Sequence, residues 1–279
     1  MLRHILLFLH NPDQIPFFTE FIDELNAADL PYTLYPNDPS AFFGFSEESP
    51  TDCLAITDSD TTLSALSGRI PAIGLQNPSV PGQSLFSAYA LLESLESADS
   101  SYLKRIHAHK MHYPAIIAET DRLLIREFSF SDHDALFQLR SDPENNRYLF
   151  EKTASFEEEK EKLYAYITDF YPFSDFALWG LFDRHTNILL GQAGFSVTEA
   201  LSVPEFGYMI DLPFRRQGLA AEATSALLAY AKDLGMEQTL IRIHPDNTAS
   251  LKVLSACGFP YRRVTSDSDL LLFQIDLIK

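Results

Sequence analysis

Cysteine is nearly absent. The 279 residues hold two, Cys53 and Cys257, far apart and outside any C-x-x-C pair. That excludes a disulfide framework and a structural zinc site of the usual spacing, and it fits a reducing compartment. Basic residues are scarce too: 21 Lys and Arg stand against 39 Asp and Glu, a formal net charge of −18. That balance argues against a broad phosphate-binding face for DNA or RNA and against an anionic membrane surface as partner. It favours solubility and is compatible with cationic substrates. No window of about 18 apolar residues occurs, so no membrane-spanning helix is expected. The apolar run near the amino terminus is too short for a signal h-region, and no small-residue cleavage site follows it. A cytoplasmic protein is the expectation.

Apolar residues make up 46% of the chain, enough for a real core, and the length fits two domains at about 100–200 residues each. Charge sets no boundary, because the acidic surplus is nine in residues 1–118 and nine in 119–279. The pattern of runs does. Residues 4–10, Tyr32–Tyr35, Cys53–Thr57 and Pro71–Leu75 read as short buried strands; residues 16–28 and a stretch through Leu63 and Leu66 read as helices between them. Such alternation predicts βαβ units on a parallel sheet, a Rossmann-like α/β domain over residues 1–112. A linker is placed near residues 110–120, and a second domain over 119–279. There the order reads β-α-α-β-β-β-α-β-α-β. Glu157, Glu158 and Glu159 read as a solvated helix start.

The informative stretch runs from Glu205 to Glu222. A strand, Glu205–Ile210, enters a turn, and the turn opens an Ala/Leu-rich helix over Gly218–Leu234. The turn holds Arg215-Arg216-Gln217-Gly218-Leu219-Ala220. Small residues there let a ligand approach the backbone. The first helical N–H groups lack internal partners and carry about half a positive charge, a cradle for a diphosphate. Read alone, the same turn is also an ordinary glycine-containing helix start.

Four ordered blocks make residues 119–279 resemble the GNAT superfamily of N-acetyltransferases, especially the branch like the ribosomal-protein alanine and serine acetyltransferases. They are Glu119-Thr-Asp-Arg-Leu-Leu-Ile-Arg126, Glu205-Phe-Gly-Tyr208, Arg215-x-x-Gly218-x-Ala220 with Glu222-Ala223, and Pro245-Asp-Asn-Thr-Ala-Ser250 with Cys257-Gly-Phe259. The resemblance implies an α+β domain whose mixed, mostly antiparallel sheet is splayed at its centre. It implies acetyl-CoA as co-substrate and direct transfer of the acetyl group to a primary amine, on a protein N-terminus or a small molecule, without a metal. Backbone amides of Arg215, Arg216, Gln217, Gly218, Leu219 and Ala220 would hold the pyrophosphate. Met209 and Ile210 would flank the pantetheine arm, and an N–H near Met209 would polarise the acetyl carbonyl. Asn247 and Ser250 match positions beside the thiol or pantetheine.

Glu205 matches a strand carboxylate that acts as base in many relatives; a solvent-facing strand residue is the other reading. Ser250 is the candidate for assisting the thiolate; capping its own helix turn together with Asn247 is the alternative. Many relatives carry a Tyr four residues before the Gly-Phe pair as general acid, and this chain has Leu254 there. His244 reads as a base or as a hydrogen-bonded strand end, Cys257 as packing, and Tyr261 has no assigned place. Trp179, Phe170 and Tyr171 read as pocket lining or core. The rival function is a non-catalytic acyl-CoA-binding protein with a sensing or interaction domain in front. No oligomer is indicated.

Cys53-Leu-Ala-Ile-Thr-Asp58-Ser-Asp60 and Gly68-Arg-Ile-Pro-Ala-Ile-Gly74 give residues 1–95 a partial resemblance to a degenerate haloacid-dehalogenase-like domain. The first strand ends in His10-Asn11-Pro12, without that family's nucleophilic Asp, so a non-catalytic binding or interaction module is expected. Asp58 and Asp60 then read as turn and N-cap residues. Phe42-Phe43-Gly44-Phe45 reads as a contact segment or as packing.

Overall fold

The computed structural model describes residues 2–35, 49–148, 154–197, 203–264 and 269–278; the aromatic segment Phe42–Phe45 lies outside them. The chain divides into two compact units, Met1–Ala115 and Ile116–Lys279.

In the first unit, strands β1 (His4–Phe8), β2 (Tyr32–Tyr35), β3 (Cys53–Thr57), β4 (Ala72–Leu75) and β5 (Ala90–Leu92) form one parallel sheet in the order β2-β1-β3-β4-β5. Helices α1 (Phe18–Ala27), α2 (Asp60–Leu66) and α3 (Ser100–Lys110) cover it. Successive residues of β1 enter different cores: Ile5 and Leu7 pack with Phe21, Leu25 and Leu103, whereas Leu6 and Phe8 pack with Leu66 and Ile70. Burial on both faces explains why β1 and β3 read as unbroken apolar runs. The strand order is the flavodoxin-type one, not the 3-2-1-4-5-6 order of the complete Rossmann fold.

At the carboxyl edge of this sheet Asp58 is fully buried. It accepts from the His10 N–H at 2.9 Å and from Asn77 Nδ2 at 2.7 Å, and it pairs with His10 Nδ1 at 2.9 Å. It is therefore an interior anchor and not a turn residue. The cap of α2 is Ser59, and Asp60 instead accepts from the backbone of Ser84 and Leu85.

The second unit begins earlier than the sequence reading placed it. Ile116–Glu119, assigned above to a linker, is strand β6, antiparallel to β7 (Leu123–Arg126). Helices α4 (His133–Ser141) and α5 (Phe156–Ala165) follow. Then come the meander β8 (Leu178–Asp183), β9 (Leu189–Ser196) and β10 (Glu205–Ile210), and helix α6 (Leu219–Asp233). Strand β11 (Gln238–Ile243), helix α7 (Thr248–Ser255), β12 (Tyr261–Val264) and β13 (Leu271–Asp276) complete it. The sheet order is β12-β13-β11-β10-β9-β8-β7-β6. Every neighbouring pair is antiparallel except β10 and β11. Helix α6 makes the crossover that a parallel pair requires.

The core lies on both faces of this sheet. Trp179 is 1% exposed and meets Phe195 and the α6 residue Tyr230 edge-on. Tyr171 is equally interior; its hydroxyl accepts from the Phe128 N–H and donates to the Leu178 carbonyl. Both are core, while Phe170 lines a cavity. The acidic start of α5 is only partly solvated. Glu158 closes a capping box with Ser155, and Glu159 turns inward, 4% exposed, onto Arg140 at 2.5 Å.

Candidate active site

Strand β10 pairs with β9 along its whole length, from Glu205↔Ser196 to Ile210↔Gly191. On its other edge it pairs with β11 only at Glu205↔Leu240. Beyond that point the two strands part. Pro204 O accepts from Leu240 N across this edge, and Asp211 N donates to Leu190 O across the opposite one. Strand groups alternate in direction, so the N–H groups of Tyr208 and Ile210 face the gap and that of Met209 faces β9. Near Met209, the residues that present an N–H to the gap are therefore Tyr208 and Ile210.

Alternate residues beside the gap point to opposite faces of the sheet. Tyr208 pairs with Ala193, which pairs with Trp179, so it lies on the face covered by α6. Met209 pairs with Gln192, whose Oε1 accepts from Arg140 of α4, so Glu205 and Met209 lie on the α4–α5 face. There a cavity of about 580 Å³ opens, lined by Met209, Gln192, Arg140, Tyr166, Asp169 and Phe170 among others.

The predicted cradle stands at the end of β10. Gly218 is the residue before α6, at φ +82°, with only Arg122 near the place a Cβ would take. Arg216 is also left-handed, at φ 64°. By helix geometry the N–H groups of Leu219 and Ala220 lack internal acceptors and point out past Gly218. The Leu219 side chain is 5% exposed, so this residue offers its backbone.

Arg122 holds the turn from the side. Its Nη1 donates to Gln217 O at 2.7 Å and its Nε to Glu222 Oε2 at 2.7 Å. Thr120 Oγ1 donates to Glu222 Oε1 at 2.5 Å. Burial acts to raise the Glu222 pKa, but these donors outweigh it and hold the carboxyl below its ordinary range. Arg215 braces the turn from the other side. Its Nε donates to Ile210 O at 2.9 Å and its Nη2 to Asn145 Oδ1 at 2.6 Å. Its guanidinium is thus structural; Arg216 is the exposed cation of the pair.

Around the gap, Asn247 caps α7, its Oδ1 accepting from Ser250 N at 3.1 Å. Ser250 does not cap its own turn; its Oγ accepts from Tyr208 Oη at 3.0 Å. Glu205 is engaged by Arg242 of β11, which donates through Nε at 2.8 Å to Oε1 and through Nη2 at 2.6 Å to Oε2. This carboxylate raises the Arg242 pKa. Glu205 is therefore a paired residue at the root of the gap and not a free surface carboxylate. His244 Nδ1 accepts from Asp246 N, and its ring lies 5.3 Å from that of Tyr148. Leu254 and Cys257 are buried core, and Tyr261 is exposed, turned to Ser255 and Phe273. Arg242 lies outside the four blocks, and sequence reasoning missed it. Tyr208 and Arg122 lie within blocks, but their pairings with Ser250 and Glu222, like that of Arg242 with Glu205, arise from the fold.

A model of the acetyltransferase (GNAT) domain matches residues 122–260. The Bacillus subtilis (strain 168) protein "Uncharacterized N-acetyltransferase YoaA" is 31% identical over 146 residues, 51% of this chain and 82% of that protein. A second from the same organism, YnaD, is 28% identical over 140 residues, 50% of this chain and 79% of its own length. A solved GNAT-family acetyltransferase from Bacillus anthracis has a TM-score of 0.48 at 21% identity, covering 57% of this chain and 97% of that one. The chain belongs to the GNAT family of acetyltransferases. It is an N-acetyltransferase, and its acetyl donor is acetyl-CoA. The haloacid-dehalogenase-like reading of the first unit finds no counterpart in these matches. No helix among the described residues is long and apolar enough to cross a membrane.

Proposed function

We propose that the second unit acetylates a primary amine, a protein N-terminus or a small amine, by direct attack across the gap between β10 and β11. The observation that carries this reading is the single register pair joining those strands, set beside the helix start at Gly218. The amides of Gln217, Gly218, Leu219 and Ala220 hold the diphosphate, with Arg216 adding charge. The backbone of Met209 and Ile210 lines the pantetheine, and Asn247 flanks it. The gap-facing N–H of Tyr208 or Ile210 polarises the acetyl carbonyl. The acceptor amine comes from the α4–α5 cavity beside Met209. It attacks as the neutral form, and Glu205, oriented by Arg242, takes the proton it releases. The carbon–nitrogen bond forms as the carbon–sulfur bond breaks, and the sulfur departs on the opposite face, where Ser250 stands. The first unit serves as a non-catalytic binding or interaction module.

Calorimetric titration with acetyl-CoA and thiol release over an amine panel test this. Micromolar binding and turnover with at least one amine are expected. A chain that binds no acetyl-CoA refutes it.

A further inference from the structure

Ser250 is fixed twice. Asn247 Oδ1 holds its N–H at 3.1 Å, and Tyr208 Oη donates to its Oγ at 3.0 Å across the opening between β10 and α7. A serine hydroxyl has one proton. Because Oγ receives the phenol proton, its own proton must point elsewhere, and among the described residues no protein acceptor meets it. Tyr208 is half-buried on the α6 face beside Phe206, their rings 6.3 Å apart. Burial raises its pKa and the Ser250 contact pulls the other way, with a net rise, so it stays a neutral donor through the working range.

We infer that Tyr208 is a positioning residue for the departing sulfur: its phenol turns the Ser250 hydroxyl so that the serine proton meets the thiolate. The inference rests on the acetyl-transfer reading above and adds a residue to it. The acetyl carbon–sulfur bond breaks with its electron pair passing to sulfur. That sulfur accepts a hydrogen bond from Ser250 Oγ–H, while Ser250 Oγ accepts from Tyr208 Oη–H. The amine proton leaves on the Glu205 side. Tyr208 keeps its own proton, because burial holds its pKa above that of an exposed phenol and the Ser250 hydroxyl stands between it and the sulfur. This arrangement supplies at the leaving group what Leu254 does not.

The test compares the full chain's affinity for CoA and for desulfo-CoA at pH 9, which populates the CoA thiolate, a group the desulfo compound lacks. The wild type is expected to prefer CoA by about tenfold, as for one charge-assisted hydrogen bond. Ser250→Ala and Tyr208→Phe should each lose most of that preference, with desulfo-CoA affinity unchanged within about twofold. The double variant should lose no more than either single one, since the two residues act as a unit. In turnover, Tyr208→Phe should lower kcat about tenfold and leave the acetyl-CoA KM unchanged. Phe keeps the ring beside Phe206, so an unchanged Tm is expected. A Tyr208→Phe chain that keeps the wild-type preference overturns the inference. So does one that loses desulfo-CoA affinity equally, which would make Tyr208 a packing residue. A wild type that binds both molecules equally refutes this inference alone; one that binds neither refutes the cofactor reading beneath it.

Discussion

Arg122→Met separates holding the turn proposed to bind the diphosphate from holding the domain together. The guanidinium donates to Glu222 and to Gln217 O, and Met keeps most of the apolar stem. Charge-assisted hydrogen bonds are worth about 1.5–3 kcal/mol each, but the Arg122 side chain is 48% exposed, and exposed ion pairs give about 0–1 kcal/mol. A net loss of about 1.5 kcal/mol is reasonable, which lowers Tm by about 3–6 °C for a unit of this size. The second effect is local. Without the bond to Gln217 O, the turn carrying the left-handed Arg216 and Gly218 loses its lateral support. If ordering it again costs about 1.4 kcal/mol, the acetyl-CoA KM rises about tenfold while kcat stays near wild type. Thr120→Val is the control: it removes a bond to Glu222 and leaves Gln217 alone. It should lower Tm and barely move KM. Differential scanning calorimetry and initial rates at varied acetyl-CoA decide the matter. Should Thr120→Val raise KM as much as Arg122→Met, or should the loss fall on kcat, the reasoning is wrong.

Acid should weaken the fold through two carboxyls. Burial acts to raise both, but Arg126 and Ser129 hold Asp132 below its ordinary pKa, as Thr120 and Arg122 do Glu222. Groups depressed in the folded state stabilise fully above the unfolded carboxyl range, about 3.9–4.3, and that contribution is lost as pH falls through the folded values. Tm should therefore be level from pH 7 to about 5 and fall below 4, less steeply in Glu222→Gln; an equal slope in that variant removes Glu222 from the account. Gly191→Ala drives a Cβ into the Met209 carbonyl oxygen. Loss of about 2–4 kcal/mol in urea unfolding is expected, along with loss of acetyl-CoA binding; a variant that binds normally would show that the end of β10 can shift freely. Glu205→Gln should lower kcat about 100-fold with the acetyl-CoA KM unchanged, the usual scale for losing a positioned base. Full activity in that variant would reduce Glu205 to the partner of Arg242.

Local chemistry was legible in the sequence. The strand Glu205–Ile210, the turn and the following helix are contiguous, and glycine at 218 and the Ala/Leu run mark them without help from the rest of the chain. Four strands of the first unit's parallel sheet were legible for the same reason, each a short apolar run between turns; the fifth, Ala90–Leu92, is three residues long and half-exposed and leaves no such pattern. What escaped was pairing at long range. Glu205 and Arg242 are 37 residues apart, Tyr208 and Ser250 are 42, and Arg122 Nε and Glu222 are 100. Each partner has several solvated alternatives until the sheet order fixes its neighbour. Glu159 reads as one of three equivalent acids, and only the α4–α5 packing turns it inward to Arg140. Strand β6 was missed because Ile116–Glu119 is four residues long and sits at the sheet edge, where partial burial leaves a weak pattern.

The parting of β10 and β11 also bears on folding. Beyond Glu205 two facing strand edges carry backbone donors and acceptors that no neighbouring strand claims. The amide-bearing arm of the thioester is a chain of similar polarity and width. In the proposed binding mode the donor would lie there and complete a ladder that the polypeptide leaves unfinished. A molecule that binds only the folded form at a hundred times its Kd adds about 2.7 kcal/mol of stability. On the proposed binding mode, the stability of this domain would follow the supply of acetyl-CoA, which its own reaction consumes.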